Sequence, residues 1–235
     1  MKTFQSKLHE CTLRECPLYE GFYKNAGGMV QPRNREELER EMKLRIDQGQ
    51  TNLNDIDTSR ITDMSYLFRK LNRYPEKIDI SKWDVSNVRD MSYMFQYYDN
   101  FNCDLSKWNV SKVEDMGSMF IDCTKFNSDL SEWNVSNVRR MDYMFDNCIS
   151  FDSDLSMWDT GKVVNMDGMF CNCISFDSDL SMWDVSEVIS MDNMFYNCKD
   201  FNCDLSGWDI GNVESCTDMF LRSGMRINKR LPHKD

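Results

Sequence analysis

Histidine is nearly missing from this chain: His9 and His233 are the only two, one near each end. The long middle stretch therefore has no Ser–His or Cys–His pair from which to make a nucleophile. Glycine is thinly spread, and the one Gly-Gly pair, Gly27-Gly28, runs into Met-Val-Gln rather than Gly-Lys-Ser/Thr, so there is no phosphate-cradling loop. No apolar run approaches the length of a membrane span, and the first eleven residues lack the apolar core of a secretory signal. As written, the chain reads as soluble and unexported, and in a reducing compartment its ten cysteines would stand mostly as thiols. Positive charge is scarce where nucleic acid would need it. Residues 1–50 carry nine Lys/Arg against eight Asp/Glu and residues 222–235 five against one, so removing these excesses from the net charge of −11 leaves −16 on residues 51–221. A body this acidic is a poor match to phosphate backbones or anionic lipid, which argues against nucleic acid as a partner through it. The basic tail from Arg222 to Lys234 reads as a solvated terminus or as a contact for an acidic partner.

What is present is repetition. Trp83, Trp108, Trp133, Trp158, Trp183 and Trp208 stand 25 residues apart, and the residues around each are near-copies of those around the next. Such a period marks a stacked array rather than a sequence of separate domains. Three regions follow: a lead-in and capping helix over 1–52, about seven coils over 53–221, and the tail 222–235. Within the lead-in, Asn34 with Glu37 three residues on reads as an N-cap and its reciprocal partner, and Leu38, Met42 and Ile46 recur at helical spacing, predicting a helix over about 35–48. In the first coil Ile56 stands in for tryptophan, and the 27 residues from Met64 to Met91 place two extra residues in the loop Asn72–Lys77.

One copy, from Leu105, carries two local periods. Leu105, Trp108 and Val110 have a spacing that suits a short inward-pointing strand near 106–111. Met116, Met119, Phe120 and Cys123 lie at i, i+3, i+4 and i+7, the stripe of a two-turn helix near 116–123, with Asp115 as N-cap. The expected fold is therefore an α/β repeat solenoid with one parallel strand and one short helix per coil. Neither piece would be stable alone, and stacking would bury ladders of Trp, Val, Met and Phe.

Ordered columns of chemically active residues need weighing. Cys123, Cys148, Cys173 and Cys198 recur in step, but a column presents thiols in a line, whereas zinc wants four ligands converging tetrahedrally. Packing as small hydrophobes fits better, since Tyr98 takes the same place in an earlier copy. His9, Cys11 and Cys16 form the only short His/Cys group and lack a fourth ligand. Asp104, Asp129, Asp154, Asp179 and Asp204 form one acidic column, and Asp84, Asn109, Asn134, Asp159, Asp184 and Asp209 form a second with Asn interspersed. These columns could hold calcium between coils, but closing turns onto backbone N–H groups is the commoner task for Asp and Asn. No catalytic residue, metal site or cofactor is assigned.

The pattern W-[DN]-V-S-x-V-x-x-M-x-x-M-F-x-x-C-x-x-F-[ND]-x-D-L-S, as in Trp133–Ser156 and Trp183–Ser206, resembles the BspA-like repeat family over about residues 53–221. The resemblance implies a leucine-rich-repeat-like solenoid, often at a cell surface and used for adhesion or other protein contacts. The repeats also resemble ones encoded by large DNA viruses. With no signal visible, an intracellular or virion-associated setting is favoured over secretion. Specificity should lie where copies differ. The residue before Trp is Lys82, Lys107, Glu132, Met157, Met182 and Gly207, and the second after the Val-Ser-type pair's valine position is Asn87, Lys112, Asn137, Lys162, Glu187 and Asn212. Both rows are expected to line an outward face that binds a protein of unknown identity. The competing expectation is a self-associating structural component of a surface layer or virus particle.

Overall fold

In the computed structural model, residues 24–69, 71 and 74–225 are described. The His9/Cys11/Cys16 group, loop residues Asn72 and Arg73, and the tail after Met225 lie outside them. Among the described residues the one helix is α1, Arg35–Asp47. Asn34 caps it by accepting the Glu37 N–H at 3.0 Å. The Glu37 carboxylate reaches back one residue further than the reciprocal pattern implies, to the N–H of Arg33 at 2.9 Å. Leu38, Met42 and Ile46 face inward and are buried, as their spacing requires.

After α1 the chain winds in coils that lie in register. Parallel bridges join Asp63 to Asp90, then Asp115, Arg140, Asn165, Ser190 and Ser215. The expected strand near 106–111 does not form. That stretch is built of tight turns, with the Trp108 N–H bonded to the Leu105 carbonyl and the Val113 N–H to the Val110 carbonyl. Nor does the helix near 116–123 form, because a helix would spend its N–H groups inside its own coil. Instead the backbone repeatedly enters the left-handed region, at Ser118 (φ 55°) and Asp122 (φ 61°) in this coil and at Tyr143, Asn147, Gly168, Asn172, Asn193 and Asn197 beyond it.

The consequence is a division of labour among the amides. The N–H groups of Met116, Ser118, Phe120 and Asp122 reach the carbonyls of Arg140, Asp142, Met144 and Asp146 in the next coil at 2.8–3.0 Å. The intervening N–H groups of Met119, Ile121 and Cys123 fold back three residues within the coil. Met116, Met119, Phe120 and Cys123 are still all buried, so the helix-like stripe reports an inward face without reporting a helix.

Inside, the aromatic rings stack coil on coil. Phe120, Phe145, Phe170 and Phe195 follow one another at 5.6–5.7 Å between ring centres, and the second row, Phe126, Phe151, Phe176 and Phe201, at 5.8–5.9 Å. Trp158 and Trp183 stack at 6.2 Å, and each indole N–H donates to a leucine or isoleucine carbonyl of the preceding coil, Trp133 to Leu105 at 3.0 Å for instance. The longer first coil brings Tyr74 against Tyr98 at 4.6 Å, and the Tyr98 hydroxyl donates to the Pro75 carbonyl at 2.6 Å.

Gly168 shows how closely these surfaces approach. Its φ is +56°, and a β-carbon there would sit 2.4 Å from the Tyr143 ring. We expect Gly168→Ala to lower stability by roughly 2–3 kcal/mol, about 1–2 of it from the left-handed backbone. Adding Tyr143→Ser should recover only the steric part, which urea unfolding of the single and double variants would measure.

Candidate protein-interaction face

The two variable rows have different characters. Lys82, Lys107, Glu132, Met157 and Met182 are exposed, and the two methionines stand out at 85% and 84% exposure. They precede Trp158 and Trp183, whose rings stack directly, so they occupy neighbouring coils. The other row is partly committed to holding the coils together. The Lys112 ammonium donates to the Asn87 side-chain oxygen at 2.7 Å and Lys162 to Asn137 at 2.7 Å. The amides of Asn87, Asn137 and Asn212 donate to the carbonyls of Ser59, Ser111 and Ser186. Asn87 is half-buried, while Lys112, Lys162 and Glu187 remain exposed. An outward row in sequence is thus, in three dimensions, both surface and inter-coil link.

The acidic columns close turns. Asp104, Asp129, Asp154, Asp179 and Asp204 each accept the N–H of the serine two residues on, at 2.9–3.1 Å. The second column does the same from Asn109 to Ser111 and from Asp184 to Ser186. These bonds to the charged form hold the carboxyls of Asp104, Asp129 and Asp154 below the usual carboxylate range. Burial pushes Asp115 and Asp146 the other way.

A third position, the one expected to cap a helix, caps turns instead. Asp115 accepts the Gly117 N–H at 2.8 Å, and Asn165 that of Asp167 at 2.8 Å. In the last coils, where serine replaces the acid, Asp167 and Asp192 of the preceding coil accept the N–H groups of Asp192 and Thr217. Arg140, which breaks the pattern, forks onto Asp142 at 3.0 Å.

The thiol column is also hydrogen-bonded rather than reactive. Cys148 donates to the Phe120 carbonyl at 3.1 Å and Cys173 to that of Phe145 at 2.9 Å, and complete burial raises both thiols well above their ordinary value. Cys103 and Cys203 belong to a second column with Ser128, Ser153 and Ser178, in which Oγ or Sγ accepts the N–H of the leucine or isoleucine beginning the previous turn. That membership was legible from the 25-residue step alone. Among the described residues no group of His, Cys, Asp and Glu is arranged to hold a metal. None of their helices is long and apolar enough to cross a membrane.

The sequence matches the family described as Mycoplasma protein of unknown function, DUF285, over residues 39–148 and again over 128–232. The chain belongs to this family. Two overlapping matches are what a repeat array produces, since one family unit spans several coils. Comparison of this DUF285 chain with curated proteins and with solved structures gave no match.

Stability of the chain should fall on acidification. A carboxyl whose folded pKa is lowered contributes stability above its unfolded pKa, near 4, and loses it as pH falls through the folded value. Asp115 and Asp146 carry the opposite sign. Thermal unfolding between pH 7 and 3 should therefore show a decline below about pH 4, and Asp129→Asn, which keeps the acceptor for Ser131, should reduce it only by the share of that one carboxyl.

Proposed function

We propose that this DUF285 chain is a non-catalytic repeat scaffold that binds another protein through the row Lys82, Lys107, Glu132, Met157 and Met182. The observation that carries the reading is the pair of methionines, almost fully exposed in consecutive coils at positions where the other copies place charge or glycine. Nothing in the core requires a methionine there, and an exposed unbranched thioether is an adaptable contact for a partner's apolar side chain. Lys82 and Lys107 in the earlier coils add positive charge to one end of the row, which would orient an acidic segment along it.

The class we assign is a leucine-rich-repeat-like solenoid in the broad sense of stacked coils. It is close to the BspA-like repeats in pattern, with turns where a strand and a helix were expected. The absence of enzymatic activity is part of this reading. It is supported by the lack of histidine in the repeats and by the hydrogen-bonded, buried state of the thiols.

Replacing both Met157 and Met182 with Lys should leave the melting temperature within a degree or two, because neither side chain packs in the core. It should lower capture of the native partner at least tenfold in pull-down. Undiminished capture would reject this face. A multi-angle light-scattering mass growing with concentration in the parent protein, with no partner captured, would favour a structural component instead.

A further inference from the structure

The methionine sulfurs fall into two populations. Fourteen of the described methionines are buried, at 5% exposure or less, because the positions they fill point into the stack. Among the described methionines only Met157 and Met182 are exposed, and Met29 lies between the two groups. A thioether takes oxygen from a peroxide only where the peroxide reaches the sulfur, so this contrast in exposure is also a contrast in reactivity.

The thiols, ordinarily the faster targets, are held back. A peroxide attacks the thiolate, and burial keeps the described thiols of the core protonated. Cys148 and Cys173 are completely buried and donate to backbone carbonyls. Burial also pushes Cys171 up to about 12 and Cys203 up to about 11. Cys216, in the final copy of the repeat, is the exposed thiol among the described cysteines. In the middle coils the accessible sulfurs are therefore the two thioethers.

We propose that Met157 and Met182 form a paired modification site, at which hydrogen peroxide converts both thioethers to sulfoxides and turns this stretch of the row from apolar to polar. In each reaction the sulfur lone pair forms an S–O bond as the O–O bond of the peroxide breaks. The proton on the transferred oxygen passes to the departing hydroxide, which leaves as water; sulfur is oxidised by two electrons and the peroxide reduced by two. A thiol-dependent sulfoxide reductase reverses the change, removing the oxygen as water while two of its thiols become a disulfide. Trp158 and Trp183 stack at 6.2 Å, so the methionines before them stand in adjacent coils and oxidation alters one continuous patch between Glu132 and Gly207. Neither side chain packs in the core, so the fold has no contact to lose. Release of a bound protein by this change rests on the reading of the row as a contact surface; the oxidation itself does not.

The test treats the folded full chain with hydrogen peroxide, follows each methionine by peptide mass spectrometry, and measures retention on a phenyl column. Met157 and Met182 should each gain one oxygen roughly tenfold or more faster than Met166 and Met191, their buried neighbours in sequence. Retention should fall in step, with the melting temperature unmoved, and a methionine sulfoxide reductase with dithiothreitol should restore it. In Met157→Leu/Met182→Leu, whatever its starting retention, peroxide should produce no such fall. Oxidation of Met166 and Met191 at the same rate would overturn the proposal, as would unchanged retention of the doubly oxidised parent. An equal fall in the leucine variant would overturn it too, by assigning the change to another residue such as Cys216. The contact surface is judged separately, by capture with the lysine variant: capture lost there but undiminished by oxidation would keep the surface and reject its release by peroxide.

Discussion

The backbone hydrogen-bond ladder between neighbouring coils is the constraint on which the rest of this structure depends. Its register sets the 25-residue period and superimposes like side chains. It also makes every coil a template for the next. An amide bonded to a neighbouring coil cannot also close a helix, so the backbone must alternate between right- and left-handed residues. Each left-handed residue without a glycine carries a steric cost, and the chain meets it in part with Asn and Asp, which tolerate that conformation best, at Asp122, Asn147, Asn172, Asn193 and Asn197. Tyrosines at Tyr66, Tyr93 and Tyr143 are tolerated where a neighbour is accommodating. Tyr66 stacks on Tyr93 at 4.5 Å, and Tyr143 lies over Gly168.

The residues that recur from copy to copy satisfy the backbone groups that this ladder leaves over. Trp133 serves the Leu105 carbonyl, Cys148 the Phe120 carbonyl, Ser153 the Leu130 N–H, and Asp129 the Ser131 N–H. A buried polar group left unpaired costs about as much as a lost hydrogen bond, and in a stack the same debt recurs in every coil. This explains why chemically active side chains recur so regularly. Their lone pairs and protons are occupied by the chain's own backbone. The exposed row from Lys82 to Met182 lies outside this system, which is why the proposed contact surface is placed there.

Much of this was legible in the sequence. The period, the inward residues and α1 follow from spacing alone, because burial imposes spacing whatever the backbone does between buried positions. The role of Asp104 and its counterparts in closing turns was readable for a similar reason, since the acceptor and its N–H lie two residues apart. The backbone conformation was not readable. Met116, Met119, Phe120 and Cys123 have the spacing of a helix face, and a right-handed/left-handed ribbon with bonds three residues back buries the same four positions. The double role of Lys112 and Lys162 was hidden because their acceptors, Asn87 and Asn137, are 25 residues away.

Sequence by itself determined that the chain repeats, which side chains face inward, and that its repeats lack the histidine needed for the commonest nucleophilic catalysis. These are properties of residue identity and of the intervals between residues. Tertiary structure alone decided where each amide donates. That choice replaced the expected strand and helix with turns and turned part of a variable surface row into an inter-coil link. The physical reason is that hydrogen-bond direction depends on backbone angles, and the same apolar pattern is compatible with more than one set of them.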